Sequence, residues 1–442
     1  MAVPAQRAAG ASVRMLRWSS TQYSEACRCA QLQVESVEPV GREMIAIYGV
    51  DLSYGLAAIR PAAPPATALL APSSGIWAPS LKPNAMAPKM EYVRLGNSGL
   101  KVSRLILGCM SYGDPGWQSW VLGEEAGVEH VKFAYEHGIT TFDTANVYSN
   151  GLSEVILGRA IKQLKLPREE LVYFPVAPSY STPSVAYASS ADSGIVNQKG
   201  LSRKHIFDSV KASLARLQMD YVDVLQCHRF DTETPIAETM QAMHDVVRAG
   251  YARYIGMSSC YAYQFIQMQN YALTHHLTPF ISMQNHYALL YREDEREMFP
   301  ALKMYGVGSI PWAPLARGLL ARPNAASSAR GDANPSIRGY KTPANAQIVD
   351  RMEELAAKKG VKMAQVALAW VLAKPGVAAP IVGTTSLASL AELLGKPLVR
   401  RGGVGSRDGA DAGAWVESAG ALEVTLDEEE VRYLEEPYAP MQ

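Results

Sequence analysis

From about Met90 onward, short and almost wholly apolar runs alternate with stretches in which apolar residues recur every three or four positions. Apolar runs of four to eight residues between turn signals suit strands buried on both faces. The three-to-four spacing suits amphipathic helices. The strand candidates are Leu105–Leu107, Thr140–Asp143, Leu171–Val176, Val222–Cys227, Tyr254–Met257, Phe280–Gln284, Gly308–Pro311 and Ala379–Val382. Helical stretches are predicted near 125–137, 152–164, 202–217, 236–249, 261–275, 294–304, 344–373 and 386–394, with Ser202 as an N-cap. Before them, Glu91–Leu95, the turn Gly96-Asn97-Ser98-Gly99 and Leu100-Lys101-Val102 read as a β-hairpin.

Eight strand–helix units in a row predict an α/β protein of the (β/α)8 TIM-barrel class, closed by a parallel sheet with helices outside. A doubly wound sheet is the alternative. It is weakened because Leu107-Gly108-Cys109-Met110 follows the first strand where that fold would carry G-x-G-x-x-G. Residues 1–88 show no sustained period, and Arg60–Pro88 is rich in Ala and Pro. They are expected to be a low-complexity, disordered extension outside an 89–442 barrel. Residues 396–420 combine Gly and charge without a period and read as an inserted loop. A terminal helix opened by Thr425-Leu-Asp-Glu428 should follow it.

Composition narrows the partners. Basic and acidic residues balance at 42 each, so no global field favours nucleic acid or an anionic membrane, and a small molecule is the expected partner. No apolar run reaches the roughly 20 residues of a membrane helix. Five scattered cysteines suggest a reducing compartment and cytoplasmic location. Cys27-Arg28-Cys29 lacks partners for a zinc set, so no metal is expected. Arg7, Arg14 and Arg17 in an acid-free leader leave a mitochondrial address as a weaker alternative.

In a parallel barrel the active site lies at the strand C-termini. Three groups there could serve a carbonyl reduction, which needs donors converging on the oxygen that gains negative charge. Asp143 ends the second barrel strand, Tyr148 follows it, and His228 ends the fourth. Taken singly, Asp143 could cap a turn, Tyr148 could be half-buried packing and His228 could be a core histidine.

The ordered motifs resemble the aldo-keto reductase family. Phe142-Asp-Thr-Ala-Asn-Val-Tyr-Ser-Asn-Gly151 with Ser153-Glu154 looks like its signature. Gly99-Leu-Lys-Val-Ser103, Leu225-Gln-Cys-His228, Ile255-Gly-Met-Ser258, Met283-Gln-Asn285, Pro311-Trp-Ala-Pro-Leu-Ala-Arg-Gly318 and Ile381-Val-Gly-Thr-Thr-Ser386 resemble its other motifs in order. The likeness covers about 90–395 and 421–438, and is strongest for the fungal aryl-alcohol dehydrogenase and versiconal hemiacetal acetate reductase branch.

The resemblance implies NADP(H)-dependent reduction of an aldehyde or ketone. Tyr148 would give the proton, His228 would orient the carbonyl oxygen, and Asp143 would pair with a lysine that lowers the phenol's pKa. Ser258, Gln284 and the neighbouring Ser259 would meet the carboxamide end, and Trp312 would line the nicotinamide pocket. Pro314, Leu315, Ala316 and Gly318 would follow the pyrophosphate, Gly383, Thr384, Thr385 and Ser386 the ribose phosphate, and Glu392 the adenine.

Three departures stand out. Ser259 and Leu393 replace asparagines usual in the family. No Lys or Arg lies in 383–393, leaving Arg317, Arg338 or Lys341 to meet a 2′-phosphate. The third departure is the lysine itself: none lies between Lys165 and Lys199, and the third strand runs directly into Tyr173-Phe-Pro-Val176. Without that cation Tyr148 should keep an ordinary phenol pKa of about 10. A buried Asp143 would be an uncompensated charge. The expectation is weak turnover with cofactor binding retained. The competing readings are an impaired nicotinamide-binding protein or a misread gene product, to which 1–88 and 396–420 would also belong. Tyr112, Trp117, Trp120 and His286 are candidate pocket walls. Substrate and oligomeric state stay open.

Overall fold

The computed structural model describes residues 90–177, 197–326, 335–395 and 420–441. The expectations for residues 1–88, and for 396–420 apart from Gly420, lie outside the described residues, as does most of the loop after the third barrel strand.

The chain opens with the hairpin, β1 (Tyr92–Arg94) antiparallel to β2 (Lys101–Ser103), with Tyr92 opposite Ser103. Its turn docks against the segment entering the seventh barrel strand, where the Asn97 N–H donates to the Gly306 carbonyl at 2.7 Å. Gly96 has a φ of 57°, and a side chain there would run into the Gly308 nitrogen, so only glycine fits this turn.

Eight parallel strands follow: β3 (Ile106–Gly108), β4 (Thr141–Ala145), β5 (Val172–Ala177), β6 (Val222–Cys227), β7 (Ala252–Ser258), β8 (Phe280–Gln284), β9 (Gly308–Ser309) and β10 (Ile381–Val382). From β3 to β9 each strand pairs with the next in sequence, and β10 returns to pair with β3. The ring closes between β9 and the approach to β10. There Ala378 N donates to Ser309 O at 2.8 Å and Ile381 N donates to Pro311 O at 2.8 Å. This is the (β/α)8 barrel read from the sequence. The doubly wound alternative requires a reversal of strand order that the ring lacks.

Strand alternation sorts the core into two shells. Val172, Phe174, Val224, Ile310, Ala379 and Ile381 fill the barrel interior, plugged at the N-terminal end by Leu95 and Val102 of the hairpin. Phe142, Tyr173, Leu225 and Met257 face outward into the layer beneath the helices. Those helices are α1 (Glu124–Glu136), α2 (Leu152–Leu164), α3 (Arg203–Leu217), α4 (Ile236–Arg248), α5 (Ala262–Thr274) and α6 (Met298–Tyr305), then α7 (Pro343–Lys359), α8 (Met363–Ala373), α9 (Leu387–Leu393) and α10 (Glu428–Glu435). The Ser202 side chain caps α3, accepting from the His205 N–H.

Several boundaries differ from the pattern reading. The stretch 344–373 is two helices, α7 and α8, because Gly360 takes a left-handed φ of 68° and ends the first. The helix expected at 294–304 starts at Met298, after a 3-10 turn over Glu293–Glu295. The capping box of the last helix is Asp427 with Glu430, not Thr425 with Glu428. Both pairs fit the spacing, but a carboxylate at the N-terminus also meets the helix dipole favourably.

Packing of α2 on α3 depends on a small residue. A Cβ on Gly158 would lie 2.7 Å from the Leu217 carbonyl carbon and 2.9 Å from its Cα. Gly158→Ala should therefore push the helices apart and cost about 1–3 kcal/mol, read as a lower urea midpoint at unchanged slope.

Candidate active site

The C-terminal ends of the strands bring the expected catalytic side chains to one mouth. Tyr148 begins a 3-10 turn directly after β4, and His228 follows β6. Their rings meet edge to face, with centroids 6.3 Å apart and planes at 89°. The turn that carries Tyr148 is strained: Ser149, Asn150 and Gly151 have φ values of 46°, 55° and 91°. Non-glycine residues hold this conformation only where their surroundings impose it. Here the Ser149 hydroxyl accepts from the Asp114 N–H at 3.1 Å. The Ser153 hydroxyl bonds Thr144 at 3.0 Å and donates to the Cys109 carbonyl at 2.8 Å. The fully buried Glu154 receives Arg216 at 2.5 Å, which fixes the start of α2 against α3.

Asp143 points into the barrel from β4, and its carboxylate accepts from the Gln284 amide at 2.6 Å. Gln226 lies close enough to favour the ionised form, although neither of its own polar atoms reaches hydrogen-bond geometry. Beside it, Asp143 is in register with Phe174, Thr144 with Pro175 and Ala145 with Val176. The neighbouring strand thus presents no ammonium group to the acid.

Electrostatics follow from that absence. Burial pushes the Asp143 carboxyl up to about 8, with the Gln284 and Gln226 amides opposing it only partly. Burial without a cation thus favours the protonated acid near neutrality, which is how a carboxyl left uncompensated responds. His228 is pushed the other way, to about 3, by burial and then by the Arg229 charge, so it is a neutral imidazole.

The expected cofactor residues lie on the far arc of the same mouth. Ser258 Oγ donates to the Gln284 carbonyl at 2.7 Å, and Ser259, with a φ of 35°, accepts from the Trp312 indole N–H at 2.9 Å. Both Ser258 and Gln284 are thus engaged within the protein. Trp312 leads into Pro314 and Leu315, then a left-handed run at Ala316, Arg317 and Gly318 with φ of 46°, 59° and 97°. On β10's exit, Thr384 Oγ1 accepts from the Ser386 N–H at 3.0 Å, and Gly383 and Thr385 flank it. Glu392 is exposed on α9, where its carbonyl accepts from Gln365. Arg338 and Lys341 are exposed.

Of the candidate walls, His286 stacks on Trp312 at 4.1 Å. Tyr112 is core instead, packed beside Gly127 of α1. Sequence reasoning placed Gln226 at the end of the fourth strand without giving it a role, and missed Arg229, Tyr291 and Tyr340. Arg229 was detectable as the residue after His228; the two tyrosines reach the mouth only through folding.

A model described as the Aldo/keto reductase family matches residues 104–397. The chain belongs to the aldo-keto reductase family, which makes it an oxidoreductase of carbonyl compounds, from a family that uses NAD(P)H. It is 46% identical over 362 residues to the versiconal hemiacetal acetate reductase of Aspergillus parasiticus, covering 79% of this chain and 98% of that protein. It is 44% identical over 380 residues to a putative aryl-alcohol dehydrogenase of Schizosaccharomyces pombe, covering 81% and 98%. A putative aryl-alcohol dehydrogenase of Saccharomyces cerevisiae is 40% identical over 362 residues, covering 79% and 98%.

The Asp143 shift has a thermodynamic signature. Its folded pKa lies near 8 and its unfolded value near the ordinary 3.8. The folded state therefore holds a proton that the unfolded state releases between those values, and stability falls as pH rises through that window. Asp143→Asn should remove this slope, which is at most about 1.4 kcal/mol per pH unit. Denaturant melts from pH 5 to about 9 should show the variant gaining on the parent up to about pH 8, then levelling.

Proposed function

We propose that this protein carries out NADP(H)-dependent reduction of an aldehyde or ketone, and the reverse oxidation of an alcohol, with Tyr148 as the proton donor. The edge-to-face placement of Tyr148 and His228 above the barrel mouth carries the reading. A reduced nicotinamide, when bound, supplies the hydride. The protein's groups do the rest: Tyr148 Oη hands its proton to the carbonyl oxygen as charge gathers there, and neutral His228 holds that oxygen by hydrogen bonding.

The backbone after β10 leaves room for a dinucleotide. Gly383 has only the Gly108 carbonyl and Ser111 hydroxyl near it, at 3.6 and 3.8 Å from an added Cβ, leaving room for close approach. We assign Ser258, Ser259, Gln284, Trp312, the 314–318 turn, Gly383–Ser386 and Glu392 to that role. NADP rather than NAD rests on the family likeness. An aromatic or polyketide-type carbonyl is the substrate class that the family resemblance suggests.

A second reading has an observation of its own. Asp143 faces Phe174, so its acid cannot act through an ammonium group to make Tyr148 a stronger proton donor. On that reading the chain binds its cofactor and turns over poorly. Fluorescence titration with NADPH beside an absorbance assay on 4-nitrobenzaldehyde separates the two. We expect binding, slow turnover, and a further loss of about a hundredfold or more in Tyr148→Phe. Lack of NADPH binding, or turnover indifferent to Tyr148→Phe, would falsify the assignment.

A further inference from the structure

Resting on the reading of Tyr148 as proton donor, we propose that Arg216, held by Glu154, is a positioning residue for Tyr148, clamping the turn that carries it. Neither side chain comes from a strand end. Glu154 lies in the first turn of α2 and Arg216 in the last turn of α3.

The turn needs an outside hold. Ser149, Asn150 and Gly151 stand in succession at positive φ, a conformation that residues with a side chain keep only where their surroundings over-determine it. Two neighbours do so here. The loop after β3 presses on Ser149: a side chain on Gly113 would overlap the Ser149 hydroxyl, and the Asp114 N–H donates to that hydroxyl at 3.1 Å. Arg216 presses on Gly151. A Cβ on Gly151 would lie 2.7 Å from Arg216 Cδ, 2.8 Å from its Nε and 3.3 Å from its Cζ. The arginine therefore fills the space a side chain would take, and the backbone of the turn cannot move that way without displacing it.

Glu154 keeps Arg216 in that place. Arg216 Nε donates to Glu154 Oε2 at 2.5 Å, and Nη2 donates to Ser213 Oγ at 3.3 Å. The glutamate side chain is fully buried, while 28% of the arginine side chain is exposed. Among the described residues no other ion pair has a fully buried acid. A charge-assisted bond to a buried carboxylate is strong and directional, and removing one partner strands the other. The clamp is thus a short closed path: Gly151 leads into α2, Glu154 leaves α2 to hold Arg216, and Arg216 returns to Gly151. Rate is sensitive to such support, because a displacement of about 1 Å in a reacting group costs up to about a hundredfold.

The test uses the full-length protein and Arg216→Met, each with and without Tyr148→Phe. Amide exchange over residues 147–153, followed by mass spectrometry, should quicken by about tenfold or more in Arg216→Met, whichever residue stands at 148. Single-turnover reduction of 4-nitrobenzaldehyde by NADPH should slow by about tenfold to a hundredfold, with NADPH affinity unchanged. That loss should vanish in the Tyr148→Phe background, since the clamp acts through the phenol. Val246→Ala, a truncation of a fully buried residue on α4, controls for lost stability and should alter neither readout. Unchanged exchange over 147–153 would overturn the proposal. So would an unchanged rate, an equal rate loss in the Tyr148→Phe background, a matching loss of NADPH affinity, or the same changes in Val246→Ala. Should Arg216→Met fail to fold, Arg216→Lys replaces it, keeping the charge beside Glu154 without the flat group against Gly151. If the parent does not turn over, or Tyr148→Phe leaves its rate unchanged, the proton-donor reading fails by itself, and the exchange result alone decides whether the clamp exists.

Discussion

A carboxyl group sealed inside a barrel must find a cation, find donors or take up a proton. Asp143 finds one short hydrogen bond from Gln284 and no cation on the adjoining strand, where Phe174 stands in register with it. Desolvation then dominates and the group holds its proton near neutrality. The consequences spread around the mouth. The Gln284 side chain is drawn to the acid, so it must turn if it is to meet a ligand.

The scaffold around this acid is otherwise highly determined. The barrel closes through backbone bonds at Ser309 and Pro311, and its lower interior is filled by apolar side chains above the hairpin plug. The polar layer made by Asp143, Gln226, Ser258 and Gln284 lies on that apolar base. Tyr148 is fixed by a left-handed turn that the Ser149, Ser153 and Glu154 contacts hold down from three sides. The strain is local to the turn that carries Tyr148.

Across the mouth, the rings of Tyr291, His286 and Trp312 stack, and the guanidiniums of Arg229 and Arg317 lie near the indole. In barrels of this class strand ends supply reacting groups while loops supply selectivity. Here Tyr148 and His228 follow β4 and β6, while the stacked rings lie in the segments after β8 and β9.

Apolar runs alternating with three-to-four spacing were enough to recover every barrel strand to within a few residues, because burial on both faces leaves an unmistakable local pattern. That Asp143, Tyr148 and His228 lie toward one end of the barrel was legible because each is at or just past the C-terminal part of a strand, and strand ends share one face of the barrel. The lack of a lysine between 165 and 199 was equally a fact of the chain. What it could not disclose was the response: that Phe174 falls beside Asp143, that Gln284 crosses from β8 to it, and that the acid becomes neutral. Nor could it show that Arg229 and Arg317, 88 positions apart, converge on one indole. Those outcomes depend on register and on contacts between distant segments, which local patterning does not encode.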